Sequence, residues 1–263
     1  MKQNGFSLVE LSIVLVILGL LTGGILGGQS LIRAAELRSV STEHQRYVAA
    51  VNTFKDKYFA IPGDMSNAQA FWGVAGTCPG NNASPSTSPV TCNGDGNGRI
   101  TPNATNSNEV FRFWQHLANA GLIEGSYTGV SNTATANVEA GALGVNIPRS
   151  KLSNAGWQPM WGGTMPVSST TFFDGEYNNM FYFGSMTTGG GPTVGIIKTE
   201  EAWNIDTKMD DGKPATGGIV TWEYDGTYCS DLAPSNAGSL ADSTYKFSYT
   251  SSTACRFIFR NAA

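Results

Sequence analysis

Gly5-Phe6-Ser7-Leu8-Val9-Glu10 opens an apolar run, LSIVLVILGLLTGGILGGQSLI, that extends from Leu11 to Ile32 and stops at Arg33. No charged side chain interrupts it, and it is long enough to cross a bilayer as one helix, which takes about 20 apolar residues. The leader ahead of it, MKQNG, carries one positive charge, Lys2. A secretory signal peptide places its small-residue cleavage site after the apolar core. Here the small residue, Gly5, comes first, so a cut at Gly5 leaves the apolar segment on the mature chain. Glu10 adds a carboxylate at the start of the run; deep in hydrocarbon it costs about 2.5–3.5 kcal/mol and usually has a functional partner, whereas at headgroup level it costs little.

The string Gly5-Phe6-Ser7-Leu8-Val9-Glu10 resembles the class III leader of type IV pilins and type II secretion pseudopilins. The resemblance is strong over residues 1–60. It implies a prepilin peptidase that cuts after Gly5 and methylates Phe6, and a Glu10 carboxylate that meets the free N-terminus of a neighbouring subunit during assembly. It further implies single-pass storage in the bacterial inner membrane with the head outside the cytoplasm. Extraction by an inner-membrane assembly platform into a periplasmic or extracellular filament follows, with partners that are copies of the chain or other pilins. The divisions expected are leader 1–5, helix 6–60 and head 61–263.

Composition narrows the rest. A net charge of −4, about −5 without Lys2, gives no basic signature for nucleic acid. Scarce charge with abundant Gly, Ser, Thr and Asn favours turns over long amphipathic helices. Four cysteines in an exported chain read as two disulfides. The sequence-local choice among the three connectivities is Cys78–Cys92 and Cys229–Cys255, and the second resembles the C-terminal disulfide loop of many pilins.

Beyond the membrane, Leu37, Val40, His44, Tyr47, Val51, Phe54 and Tyr58 recur at three- and four-residue spacing, one face of a continuing helix. Arg38, Glu43, Gln45 and Asn52 fall off that stripe. Ile61-Pro62-Gly63-Asp64 ends the element. Gly19, Gly23, Gly24, Gly27 and Gly28 weaken its membrane half, either for close helix packing or for local unwinding in a filament. Asp64 is expected to cap a short helix through Trp72. Asn106 and Glu109 mark a capping box for a helix with Val110, Phe113, Trp114 and Leu117 on its apolar face and His116 beside it. Thr199 is expected to cap a helix over 200–209. Strands are expected at 143–147, 179–186, 193–198, 218–224, 245–249 and 256–259. The fold class is α+β: a long N-terminal helix on an antiparallel sheet with loop and short-helix insertions.

Two acidic stretches offer cation chemistry. Asn93-Gly94-Asp95-Gly96-Asn97-Gly98-Arg99-Ile100 places oxygen side chains at alternate positions before a glycine and a branched residue, as calcium loops do. The twelfth position is Ala104, so Glu109 has to supply the bidentate carboxylate, giving Asn93, Asp95, Asn97 and Glu109 as the calcium set. Asp206, Asp210 and Asp211 form the second cluster. No Ser-His-Asp arrangement, redox CxxC or phosphate-binding glycine loop is present, and Gly189-Gly190-Gly191-Pro192 reads as a turn. The reading is a structural filament subunit without catalysis. Alternatives are a minor pilin or pseudopilin of a secretion system, or a membrane-anchored calcium-dependent module or enzyme that borrows the leader.

Overall fold

The computed structural model describes residues 7–76, 78, 89–103, 107–131, 140–166, 169–187, 190–222, 229–234, 240–248, 253 and 255–262. Helix α1 runs unbroken from Leu8 to Tyr58, 51 residues, or about 77 Å at 1.5 Å per residue. It passes through all five membrane-half glycines as helix, and a Cβ added at any of them meets nothing within 4 Å. Phe59 ends it in the left-handed region, φ 52°, with its N–H donating to the Lys55 carbonyl at 2.9 Å. Pro62 follows where a helix cannot continue.

The head is an antiparallel sheet with helices on one face. Strands β3 (Ala155–Met165), β4 (Gly175–Ser185), β5 (Ile219–Thr221) and β6 (Phe257–Phe259) lie in the order β3-β4-β6-β5. A two-residue ladder, β1 (Pro102–Asn103) with β2 (Ser107–Asn108), leads into α3 (Glu109–Asn119). Helices α2 (Ala68–Trp72) and α4 (Thr199–Met209) complete the frame. This is the α+β architecture that the periodicities predict.

Strand alternation divides the core. Trp157, Phe181, Phe183, Phe257 and Phe259 point to the helical side and bury against Val40, Tyr47, Val51 and Phe54 of α1. Tyr47 sits among aromatic rings, 4.8 Å from Trp114 and 5.8 Å from Trp157, edge to face in both cases. Met180, Tyr182, Val220 and Ile258 point the other way, beneath Phe173, Tyr177 and Ala215. Because both faces are covered, β4 is buried nearly end to end and does not alternate with solvent.

Several expected elements differ. β3 is a strand beyond those expected, and Gly156, Pro159, Gly162 and Gly163 give it weak strand propensity. It is an edge strand, where a proline that cannot donate is tolerated, and Pro159 pairs with Phe181. Expected strands 143–147, 193–198 and 245–249 reduce to isolated bridges at Leu143–Ile147, Val194, Ile197 and Tyr245, since turns and a bridging disulfide hold those segments. α4 starts at Thr199, one residue early, with Lys198 at its N-cap and the Glu201 carboxylate accepting the Lys198 N–H at 3.0 Å.

Asp64 does not cap α2; Asn67 occupies that position. The Asp64 carboxylate instead turns to the glycine loop, accepting from Asn97 N–H at 3.0 Å and Gly98 N–H at 2.9 Å. Gly94 makes this close approach feasible, since a Cβ there would lie 2.3 Å from the Asp64 carbonyl carbon. Gly63, at φ +86°, lets the chain pass the start of α3, where a Cβ would lie 2.4 Å from the Glu109 carbonyl oxygen. His116, expected beside the apolar face, is fully buried. Its Nδ1 accepts the Gly63 N–H at 3.0 Å, which places the neutral ring's proton on Nε2, 3.1 Å from the Thr91 hydroxyl. That hydroxyl donates in turn to Gln115 Oε1 at 2.7 Å. Burial, reinforced by the charge of Arg112, holds His116 down to about 3, so it stays neutral and structural.

Candidate functional site

Among the described residues, the N-terminal half of α1 projects away from the head. From Leu8 to Ile32 its large apolar side chains are exposed, among them Leu15, Leu20 and Leu31, while Val40 onward is core. An 18-residue window of this half has mean hydropathy 2.4 and none of it is buried. At its tip the Ser7 N–H donates to Glu10 Oε2 at 2.9 Å and Ser7 Oγ accepts from Val9 N–H at 3.3 Å. Glu10 therefore closes the first turn as a capping-box carboxylate, favourably placed at the positive end of the helix dipole. Among the described residues the Glu10 carboxylate forms no ion pair. Gly5 and Phe6 lie outside the described residues.

The head gathers two acidic clusters. Asp64, Asp95 and Glu109 each bring a carboxylate oxygen within 4.8 Å of the others. Glu109, at the start of α3, accepts from Asp95 N–H at 3.1 Å and from Thr101 N–H at 2.9 Å. Of the four expected calcium ligands, Asp95 and Glu109 converge. The two asparagines turn their oxygens to the backbone, Asn93 Oδ1 accepting from Gln69 N–H at 2.9 Å and Asn97 Oδ1 from Arg99 N–H at 2.8 Å. Asp64 takes the third place, which sequence spacing missed because it lies one full excursion upstream. Burial, with the Glu109 charge beside it, raises Asp64 to about 6, and burial raises Glu109 as well. Asn106, the expected cap of α3, lies outside the described residues.

Asp206, Asp210 and Asp211 form the second group. Asp206 is fully buried, accepting the Tyr245 hydroxyl at 2.7 Å and Gly212 N–H at 3.3 Å. Asp210 accepts Ile219 N–H at 2.9 Å, and Asp211 accepts Lys213 N–H at 2.9 Å. Burial pushes Asp206 up from 3.8 to about 7. Between those values the native head holds a proton that the unfolded chain has released, so this group's contribution to stability falls as pH rises through that window. His44 and His116, lowered to about 4 and about 3 by burial, act oppositely below their ordinary value of 6.5. Asp206→Asn mimics the protonated form. Its melting temperature relative to the parent is expected to climb steadily from about pH 4 to about pH 7. A pH-independent difference would contradict the assignment.

Residues 1–26 match a family model described as the prokaryotic N-terminal methylation motif. The chain carries a class III prepilin leader. No curated protein and no solved structure gave a match to the chain. The prepilin leader and the bare apolar half of α1 occupy the same segment, and both fit a membrane-anchored pilin-type or pseudopilin-type protein.

In this chain the head grips the rod immediately past the apolar run. Arg33, the first charge after it, makes a two-pronged contact with Glu201 of α4, Nε to Oε1 at 2.8 Å and Nη2 to Oε2 at 2.6 Å. Three turns on, Glu43 is buried and accepts from Trp157 Nε1 and Lys151 N–H, both at 2.8 Å. Sequence reading put Glu43 off the core stripe. The spacing Val40, Glu43, Tyr47, Ala50, Phe54 placed it on the buried face, and only its charge argued otherwise. Together Arg33 and Glu43 anchor α1 to α4 and β3, which leaves residues 8–32 as a projecting rod.

Proposed function

We propose that the protein is a structural subunit of a type IV pilus or pilus-like filament. The precursor is cut after Gly5 by prepilin peptidase, methylated at Phe6 and held in the inner membrane by residues 6–32. It is then moved by the assembly platform into a polymer built on α1. The observation that carries this reading is the pairing of a prepilin leader with an exposed apolar rod that starts at the proposed cleavage point. In hydrocarbon the rod's side chains need no partner; outside it, burying them against neighbouring rods is worth about 25 cal/mol per Å2. Glu10 takes the neighbour's Phe6 amine as its counter-charge, which fixes the axial offset between rods. The head, residues 61–263, forms the outer surface. Electron microscopy of sheared surface material is expected to show filaments labelled by antibody to the head, absent from cells that lack the chain. Unlabelled filaments identical in both strains would contradict the reading.

The same reading assigns calcium to Asp64, Asp95 and Glu109. Support comes from the alternating-oxygen loop and from three converging carboxylates. A cation selective for the native head raises its melting temperature. The rise is expected at about millimolar calcium, the range of extracellular sites, and Asp95→Ala is expected to abolish it. Superimposed curves in calcium and in chelator would remove the assignment.

A further inference from the structure

A groove of about 760 Å3 lies on the flank of α1 at the point where the apolar run ends. Ile32, the last residue of that run, lines it together with Arg38 and Arg46 of α1 and with Arg149 and Lys151 from the segment that leads into β3. The head thus folds two of its own cations back to the level of the rod's last apolar side chain. In a chain whose net charge is −4, this gathering of cations runs against the average.

The carboxylates that line the same groove are already engaged. Glu36 answers Arg33 at 3.3 Å. Glu43 accepts on both oxygens, from Trp157 Nε1 and from the Lys151 N–H. The charge of Glu124 acts on Arg46. Arg38, Arg149 and Lys151 stay exposed, and among the described residues none of the three forms an ion pair. Their frame is nevertheless set. The Lys151 backbone is tied to the buried Glu43, and Arg149 bridges to Gly156 of β3.

We propose that this groove binds the phosphodiester of an anionic phospholipid headgroup while the chain is held in the membrane. The headgroup layer begins where the hydrocarbon ends and is about 5–8 Å deep on each side of a bilayer. Arg38 follows Ile32 by about 9 Å along the helix, and its long side chain can reach back to that layer. Arginine forks match phosphate oxygens two at a time, while the Lys151 ammonium adds a point charge. A zwitterionic headgroup brings its own ammonium into the cationic groove, so selection favours a lipid with net negative charge, such as phosphatidylglycerol. The assignment rests on the membrane-anchored reading of α1 and not on polymerisation.

Native mass spectrometry of the detergent-solubilised full chain, titrated with phosphatidylglycerol or phosphatidylcholine, tests it. Phosphatidylglycerol is expected to stay bound at about tenfold lower concentration than phosphatidylcholine. Each basic residue near a lipid surface contributes roughly fivefold in affinity, so Lys151→Gln is expected to cut the preference severalfold. Lys151→Gln combined with Arg149→Gln is expected to remove it. Lys57→Gln, at the opposite end of α1, is expected to leave it intact, and all variants to keep the parent melting temperature. Equal retention of the two lipids by the parent chain would overturn the proposal, as would a preference that survives the double substitution. Equal competition by glycerophosphoglycerol, the same headgroup without acyl chains, would assign the groove to a soluble phosphodiester and overturn it too. So would a double substitution that abolishes filaments while the lipid preference stands, since the groove would then serve a neighbouring subunit. Flotation with phosphatidylcholine vesicles separates the two readings: a chain that does not float refutes the anchor itself, whereas one that floats without preferring phosphatidylglycerol refutes the headgroup site alone.

Discussion

Glu10→Ala protein, expressed as the only copy, is expected to insert in the membrane, be cut normally and fold its head, yet to lose at least about nine-tenths of its filaments. The residue sits at the far end of an exposed rod, and no head residue is near it in the sequence of contacts along α1. It therefore contributes nothing to the core around Tyr47 and Trp157. An ionised carboxylate drawn deep into hydrocarbon costs about 2.5–3.5 kcal/mol unless a cation answers it, and cleavage after Gly5 creates such a cation at Phe6. Two variants separate the charge from the cap. Glutamine can still accept the Ser7 N–H, because Ser-x-x-Gln also forms a capping box. Glu10→Gln is expected to fail in assembly as badly as Glu10→Ala, since the requirement is charge. Normal filament yield from Glu10→Gln would assign Glu10 to capping alone.

The second large effect is expected at the C-terminal disulfide. Cys229 and Cys255 are bridged across 26 residues, and loop-closure entropy for that span is about 3.5 kcal/mol. The bridge also holds a local network. Cys255 exchanges backbone hydrogen bonds with Ile197, both near 3 Å, just before β6 joins the sheet centre. The double substitution Cys229→Ser with Cys255→Ser is expected to lower head stability by about 3 kcal/mol in urea unfolding. The Cys78–Cys92 bridge spans 14 residues and packs with the small cluster of Ala75 and Val130. Its removal is expected to cost less. A loss below about 1 kcal/mol for the C-terminal bridge would mean that the enclosed segment holds itself in place.

The rod was the most legible part of the fold. An uninterrupted apolar run, a three-four stripe and a Pro-Gly stop define α1 to within a residue or two, because local periodicity and tertiary packing agree there. The cysteine connectivity followed from proximity in sequence. β3 was hidden because edge strands admit the glycines and proline that propensity reads as turns. Glu43 and Asp64 were hidden for a different reason. Each is a buried carboxylate whose partners, Trp157 for one and the 97–98 backbone for the other, lie far away in sequence. Spacing rules see neighbours in the chain, whereas these acids are positioned by the approach of a strand and a glycine loop. The calcium loop shows the mixture: Asp95 and Glu109 were found by spacing, but Asn93 and Asn97 are consumed by their own backbone.

The central claim is that the leader is removed before the apolar segment and that the rod stays on the mature chain. Mass spectrometry of the N-terminal peptide from membrane and sheared-surface fractions tests this most directly. The account predicts a peptide beginning at Phe6 and carrying one added methyl group, followed by Ser7-Leu8-Val9-Glu10. A mature terminus beyond the apolar run, downstream of Ile32, would show export by an ordinary signal peptide and contradict it.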